Sequence, residues 1–138
     1  MPVDSGVLKS RVSKITFTMN ELRRLISKPF AQLNVDEKYS MRYNIIILVE
    51  STLSLCMHIA VEAHAETPES YKEAIKLAAE RLNASCVNDL ASMVELRNIL
   101  IHRYWPVNDG RVYEAVKANF RCVEELLNRV RESFPIED

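Results

Sequence analysis

Glycine is almost missing from this chain: 138 residues hold only Gly6 and Gly110, with five prolines. So few turn formers exclude a meander of many strands and point to helices joined by short connections. There is no glycine-rich phosphate loop, no G-x-S-x-G elbow and no H-E-x-x-H pair. Kinase, NTPase, serine hydrolase and zinc hydrolase chemistries are therefore set aside. The cysteines number three, Cys56, Cys86 and Cys122, without a C-x-x-C pair. An odd count at wide spacing points to a reduced, cytoplasmic chain with neither a zinc site nor a disulfide framework. The N-terminus lacks the basic lead and apolar core of a signal peptide. Residues 45–61 are apolar but interrupted by Glu50 and His58, so no membrane association is expected. Neither sign of charge dominates, the net charge being −1, but the distribution is uneven. Residues 1–28 carry +4, 36–96 carry −5, 97–131 carry +3 and the last seven −3. Basic character on the first helix and around Arg97 could steer a polyanion, although a charged helix face commonly means only solvation.

What the chain has in abundance is helical periodicity. Leu8, Val12, Ile15, Met19, Leu22 and Ile26 recur at steps of three and four, with Asp4 or Ser5 as cap and Pro29 beyond the end. A second helix is expected from about residue 37 to about residue 63, after a connection containing Asn34 and Asp36. Ile45, Leu48, Val49, Thr52, Cys56, Ile59 and Ala63 make one stripe, and Ile46, Ile47, Leu53, Met57 and Val61 make its other faces apolar. A helix apolar nearly all round must be buried nearly all round. In so small a domain, a second subunit in a two-fold dimer is expected to cover part of that surface. Thr67-Pro68 reads as the cap and first position of a third helix with a buried face of Tyr71, Ala74, Ile75, Ala78 and Leu82. Ser85 reads as the cap of a fourth, carrying Val87, Leu90 and Val94. Pro106, Asn108, Asp109 and Gly110 mark a turn before a last helix built on Val112, Val116, Phe120, Val123, Leu127 and Val130. Residues 1–138 are thus expected to form one all-α domain, an up-and-down bundle of about five helices.

The chemistry-bearing stretch is Arg97-Asn98-Ile99-Leu100-Ile101-His102-Arg103-Tyr104-Trp105. It brings together a fixed cation, a group that exchanges a proton near neutral pH, and a hydroxyl. Arg97 falls where the apolar stripe calls for an apolar residue, so it needs a partner or a ligand. Glu50 on the second helix is an acid that could meet it, and a structural clamp between two helices would account for the pair. Arg97 and Tyr104 are about 20° apart around the axis, whereas Arg97 and His102 are about 140° apart. Asn98 and His102 are i, i+4 neighbours, so the amide can hold the imidazole in one tautomer. One straight helix cannot aim Arg97 and His102 at one phosphate. Either the helix distorts ahead of Pro106, or two chains form a composite cleft. His58 reads as a satisfied core residue and His64 as a helix-terminal one; no metal site is expected.

The pattern Arg97-Asn98-x-x-x-His102-x-Tyr104-Trp105 resembles the signature of the HEPN superfamily, and most nearly its HepT-like toxins. Arg42 and Glu50 on the second helix, Thr67-Pro68-x-Ser70-Tyr71, and Val112-Tyr113 extend the resemblance over most of the chain. Glu95-Leu96 departs from it, since the family often has a small residue and an aromatic before the Arg. The resemblance implies a homodimeric, HEPN-like bundle acting as a metal-independent, cofactor-free endoribonuclease on RNA and not on DNA. In that reading His102 serves as general base or acid, Arg97 binds the scissile phosphate, and Asn98 orients one of them, with Glu50 and Arg42 in support. It also implies a partner, a minimal nucleotidyltransferase antitoxin, with Tyr104 as the residue it adenylylates. A catalytically inactive HEPN-like dimer that binds RNA or nucleotide as a partner platform is the alternative, and a purely structural helical dimer a third.

Overall fold

Asp4 Oδ1 accepts from the backbone N–H groups of Gly6 at 2.9 Å and Val7 at 3.2 Å, and so starts the first helix. The computed structural model describes residues 3–102 and 107–134. Its first element, α1, spans Ser5–Ile26 and is followed by a 3₁₀ turn, Phe30–Gln32. Asn34 and Glu37 form a reciprocal capping box (2.8 and 3.1 Å) that opens α2, Val35–His58. Lys28 donates to Glu37 at 2.6 Å. That bond, with the Asn34 N–H, holds the Glu37 carboxyl below the usual glutamate range. The helix runs on through a π turn, Ile59–Ala63, after which Ala65 takes a left-handed φ of 52°.

The third helix, α3, spans Tyr71–Arg81, and its cap is Ser70 rather than Thr67. Ser70 has a glutamate three residues on. Its Oγ accepts from the Glu73 N–H while the Glu73 carboxylate accepts from the Glu69 N–H at 2.6 Å. Thr67 has no such acid at the same offset, so the start moves by one turn. Asn83, at φ 59°, closes α3 with N–H bonds from Asn83 to Glu80 and from Ala84 to Ala79. The fourth helix, α4, spans Val87–His102. Ser85 does not cap it. Its N–H and Oγ both donate to Glu125 on the last helix, at 2.7 and 2.8 Å, and lower that carboxyl's pKa. The last helix, α5, spans Asp109–Ser133 with Asn108 as its cap.

All five α-helices of the described residues feed one core cluster, and α2 packs against the other four. Leu8, Val12, Ile15, Met19 and Leu22 are buried as the periodicity predicts, although the last turn of α1 buries Leu25 in place of Ile26. Ile45, Val49, Leu55, Cys56 and Ile59 are fully enclosed. Truncating one such aliphatic side chain to Ala costs about 2–5 kcal/mol. By length and composition Val35–Ala63 is apolar enough to cross a membrane, contrary to the reading of residues 45–61 as too polar, and 56% of its most apolar window is buried inside the protein. The outer face of α2 is less enclosed than its composition predicts: Ile46, Ile47 and Met57 are half-buried and Val61 is exposed. His58 departs from the satisfied core histidine foreseen, because its buried Nε2 has no hydrogen-bond partner among the described residues.

A second correction concerns the cysteines. Cys86 and Cys122 are joined as a disulfide across a Cα–Cα distance of 5.6 Å, linking the start of α4 to the middle of α5. Spacing along the chain carries no information about two helices packed side by side, which is why a separation of 36 positions concealed the pair. Cys56 remains a free thiol, buried, with its pKa pushed up to about 12 by desolvation.

Candidate active site

Leu90, Ala91, Met93, Val94 and Leu100 anchor α4 in the core and thereby set the phase of everything it carries. At that phase Arg97 lies against α2 with its side chain 18% exposed. Its Nη1 donates to Asn98 Oδ1 at 2.7 Å and its Nη2 to Glu50 Oε1 at 3.4 Å. The guanidinium carbon sits 5.7 Å from the centroid of the Tyr71 ring, close enough for a cation–π contact. Arg97 Nε is buried without a hydrogen-bond partner among the described residues. A guanidinium has five N–H donors, so this one is positioned but incompletely used.

The Arg97–Glu50 pair, one of the options the sequence left open, therefore exists, but as a weak clamp. Glu50 is 46% exposed and the contact is a single long one, a geometry worth about 0–1 kcal/mol. Asn98 turns to Arg97, so its carbonyl oxygen buttresses the guanidinium rather than His102. His102 is the last residue of α4 and is exposed. Among the described residues no hydrogen bond or ion pair joins it to Arg97. Arg103, Tyr104, Trp105 and Pro106 lie outside the described residues.

Arg42 is drawn into a different partnership. Its Nε and Nη2 bind the two carboxylate oxygens of Asp109 at 2.6 Å each, which fastens the first turn of α5 to α2 and raises the Arg42 pKa. Arg42 and Glu50 are eight positions apart, about 12 Å along the helix, so this pair is not part of the Arg97 constellation. Tyr113 completes the same α5 attachment by donating to the backbone oxygens of Ile26 and Lys28.

Arg97 opens into a groove walled by Glu50, Leu53, Ser54, Met57 and Tyr71. Tyr71, assigned by periodicity to the buried face of α3, is instead 53% exposed. Being the first residue of that helix, just after the Ser70 cap, it has no preceding turn to cover it. Across α2 a second groove is lined by Arg11, Lys14, Ile47, Glu50, Ser51 and Ser54, sharing Glu50 and Ser54 with the first. Sequence reasoning noted the basic first helix but did not single out Arg11 and Lys14; their i, i+3 spacing on one face was the available signal. Cys86, Asp89 and Cys122 place three ligand atoms within 4.8 Å of one another. With both sulfurs in a disulfide, however, they present no thiolate to a metal.

A half-buried arginine held by an amide and a carboxylate keeps N–H donors that a phosphate could take, and five residues on stands an exposed histidine able to exchange a proton. Consistent with that, a family model described as Ribonuclease HepT-like matches residues 15–130. The chain belongs to the HepT-like ribonuclease family. No curated protein sequence matches it. Among solved structures, a chain of a toxin–antitoxin crystal structure with AMP-PNP superimposes with a TM-score of 0.80 at 18% identity, covering 92% of this chain and 98% of that one. A chain of the complex between tri-AMPylated Shewanella oneidensis HEPN toxin and MNT antitoxin gives 0.79 at 19% identity, covering 91% and 97%. A cytosolic protein of unknown function from Bacillus subtilis, YutE, gives 0.76 at 15% identity, covering 94% of each. At these identities the likeness is one of fold, and this HepT-like chain shares the all-α HEPN architecture.

Proposed function

We propose that this HepT-like protein is the cytoplasmic toxin of a toxin–antitoxin pair, a homodimeric endoribonuclease whose cleft is completed by two copies of α4. The observation that carries this reading is the Arg97 guanidinium, held by Asn98 and loosely by Glu50 at the mouth of a groove. A scissile phosphate would displace the long Glu50 contact and take two N–H donors in its place, stabilising charge on the phosphoryl oxygens in the transition state. His102 serves the proton transfers. As the ribose 2′-oxygen attacks phosphorus, the imidazole takes its proton; the bond to the 5′-oxygen breaks, and that oxygen takes a proton from an imidazolium or from water. The 2′-hydroxyl as nucleophile removes any need for a metal-activated water. It also makes the products a 2′,3′-cyclic phosphate and a 5′-hydroxyl, with DNA left intact.

Arg97 and His102 are joined by no hydrogen bond or ion pair among the described residues, and a composite cleft of two chains is one form in which both would reach one phosphate. The half-buried Ile46 and Ile47 and the exposed Ile99 supply apolar surface for the second copy. The partner is a minimal nucleotidyltransferase antitoxin, as in the complexes that share this fold. It transfers AMP from ATP to the Tyr104 oxygen with release of pyrophosphate, placing bulk and negative charge where the phosphate binds.

The test is incubation of the purified protein with single-stranded RNA in the presence of a chelator, with the products read by mass spectrometry. Cyclic phosphate ends from wild type and none from His102→Ala, at equal thermal stability, are the expected results. RNA binding without cleavage would instead establish the catalytically inactive platform. Intact-mass measurement after co-expression with the partner should add AMP on Tyr104; modification confined to other residues would remove that part.

A further inference from the structure

The cations of α1 divide into two groups. Toward its C-terminal end Arg23 pairs with Glu124 and Arg24 with Glu21, and just beyond it Lys28 pairs with Glu37. Toward its N-terminal end Lys9, Arg11 and Lys14 have no carboxylate partner among the described residues. Arg11 is nevertheless not loose: its Nε donates to Ser54 Oγ on α2 at 2.6 Å, which leaves both Nη groups for something else. Lys14 lies one turn further along the same face and lines the same groove. The only carboxylate there among the described residues is Glu50, which also meets Arg97 on the far side.

From these placements we infer that Arg11 and Lys14 form a second phosphate-binding site, continuous with the Arg97 groove, that holds the RNA backbone away from the scissile position. The inference rests on the ribonuclease reading above and extends it to the substrate track. Ser54, which orients Arg11, and Glu50, which touches Arg97, are four residues apart on α2, an axial offset of about 6 Å. The polyanion class follows from charge. Three cations against one carboxylate line the joined grooves, and a guanidinium fixed by a neutral hydroxyl keeps its full charge for an oxyanion. An acidic face of the partner protein offers carboxylates too. The groove form and the continuity with Arg97 favour a threaded chain of phosphates over a flat acidic surface.

The experiment measures binding of a short fluorescent single-stranded RNA, 2′-O-methylated so that it cannot be cut, as a function of salt. Losing one phosphate contact lowers affinity about 5-fold at 0.1 M salt and flattens the log–log salt dependence by about 0.7 for single strands. Arg11→Gln and Lys14→Gln are each expected to show that loss, the double variant both losses together, and Lys117→Gln on α5 neither. Arg11→Lys keeps the charge without the Ser54 bond and is expected to retain the slope. Lys14 is exposed, so its variant remains informative even if Arg11→Gln fails to fold. If wild type binds and cleaves RNA while both Gln variants keep wild-type affinity and slope, the second site is wrong and the ribonuclease reading stands. If wild type neither binds nor cleaves RNA, both are wrong. If the variants bind RNA normally but lose the nucleotidyltransferase partner, the groove belongs to that protein, and the inference is overturned.

Discussion

Two arginine–carboxylate pairs leave the same helix, α2, and they are built for opposite ends. At its first turns Arg42 holds Asp109 through two 2.6 Å bonds, with side chains 20% and 15% exposed. Two turns on, Glu50 meets Arg97 through one 3.4 Å contact, with the carboxylate largely in water. The first pair is bidentate, shielded and reinforced by Tyr113 and the Asn108 cap. The second leaves N–H donors over and opens into a groove. A closed pair fastens helices, whereas an open one keeps a cation poised for an anion that arrives later.

Activity gives the largest expected contrast. His102→Ala and Arg97→Ala should each lower RNA cleavage by about 10²-fold or more with little change in melting temperature, while Arg42→Ala should lower stability and leave cleavage per folded molecule nearly intact. Equal loss of activity in Arg42→Ala would erase the distinction.

Next in size is the covalent link that holds α4 to α5. Reducing the Cys86–Cys122 bond, or Cys86→Ser, should cost up to about 4 kcal/mol in a denaturant titration, from the loop entropy a bond at this separation removes. Arg42→Ala comes third at about 2 kcal/mol. It strands Asp109 without its guanidinium, and the estimate sits below the 3–5 kcal/mol of a fully buried pair because both groups keep some water contact. By contrast Glu50→Gln should move stability by less than about 0.5 kcal/mol; a shift as large as that of Arg42→Ala would mean the two pairs are alike after all.

Acid pH offers the smallest effect. Glu37 and Glu125 have folded pKa values below their unfolded ones, so their contribution is present above the unfolded value of about 4.3 and is lost as pH falls through the folded value. Thermal melts should therefore be flat with respect to these groups above about pH 5 and decline below about pH 4. Glu125→Gln should shallow that decline.

Much of the fold was legible along the chain because helical burial is periodic. The stripes on α1 and α5 appear as buried faces almost residue for residue, and an arginine standing in an apolar stripe signalled the need for a partner, of which Glu50 was one option. Local capping was less legible where two candidates competed, as at Thr67 and Ser70, and was decided by which had a glutamate three positions later. The exposure of Tyr71 and the Arg42–Asp109 pair were not legible. Both depend on how the start of a helix abuts a neighbour, and periodicity is silent about ends.

The sequence by itself determined the helical class, the central place of α2 and the Arg97–His102 spacing, because each follows from residue type repeated at fixed intervals along one helix. Only tertiary structure decided the rest. It turned Asn98 toward Arg97, gave Arg42 to α5, joined Cys86 to Cys122 and brought Arg11 to Ser54. Those outcomes depend on distances between helices, and the sequence spacings along each helix carry no record of them.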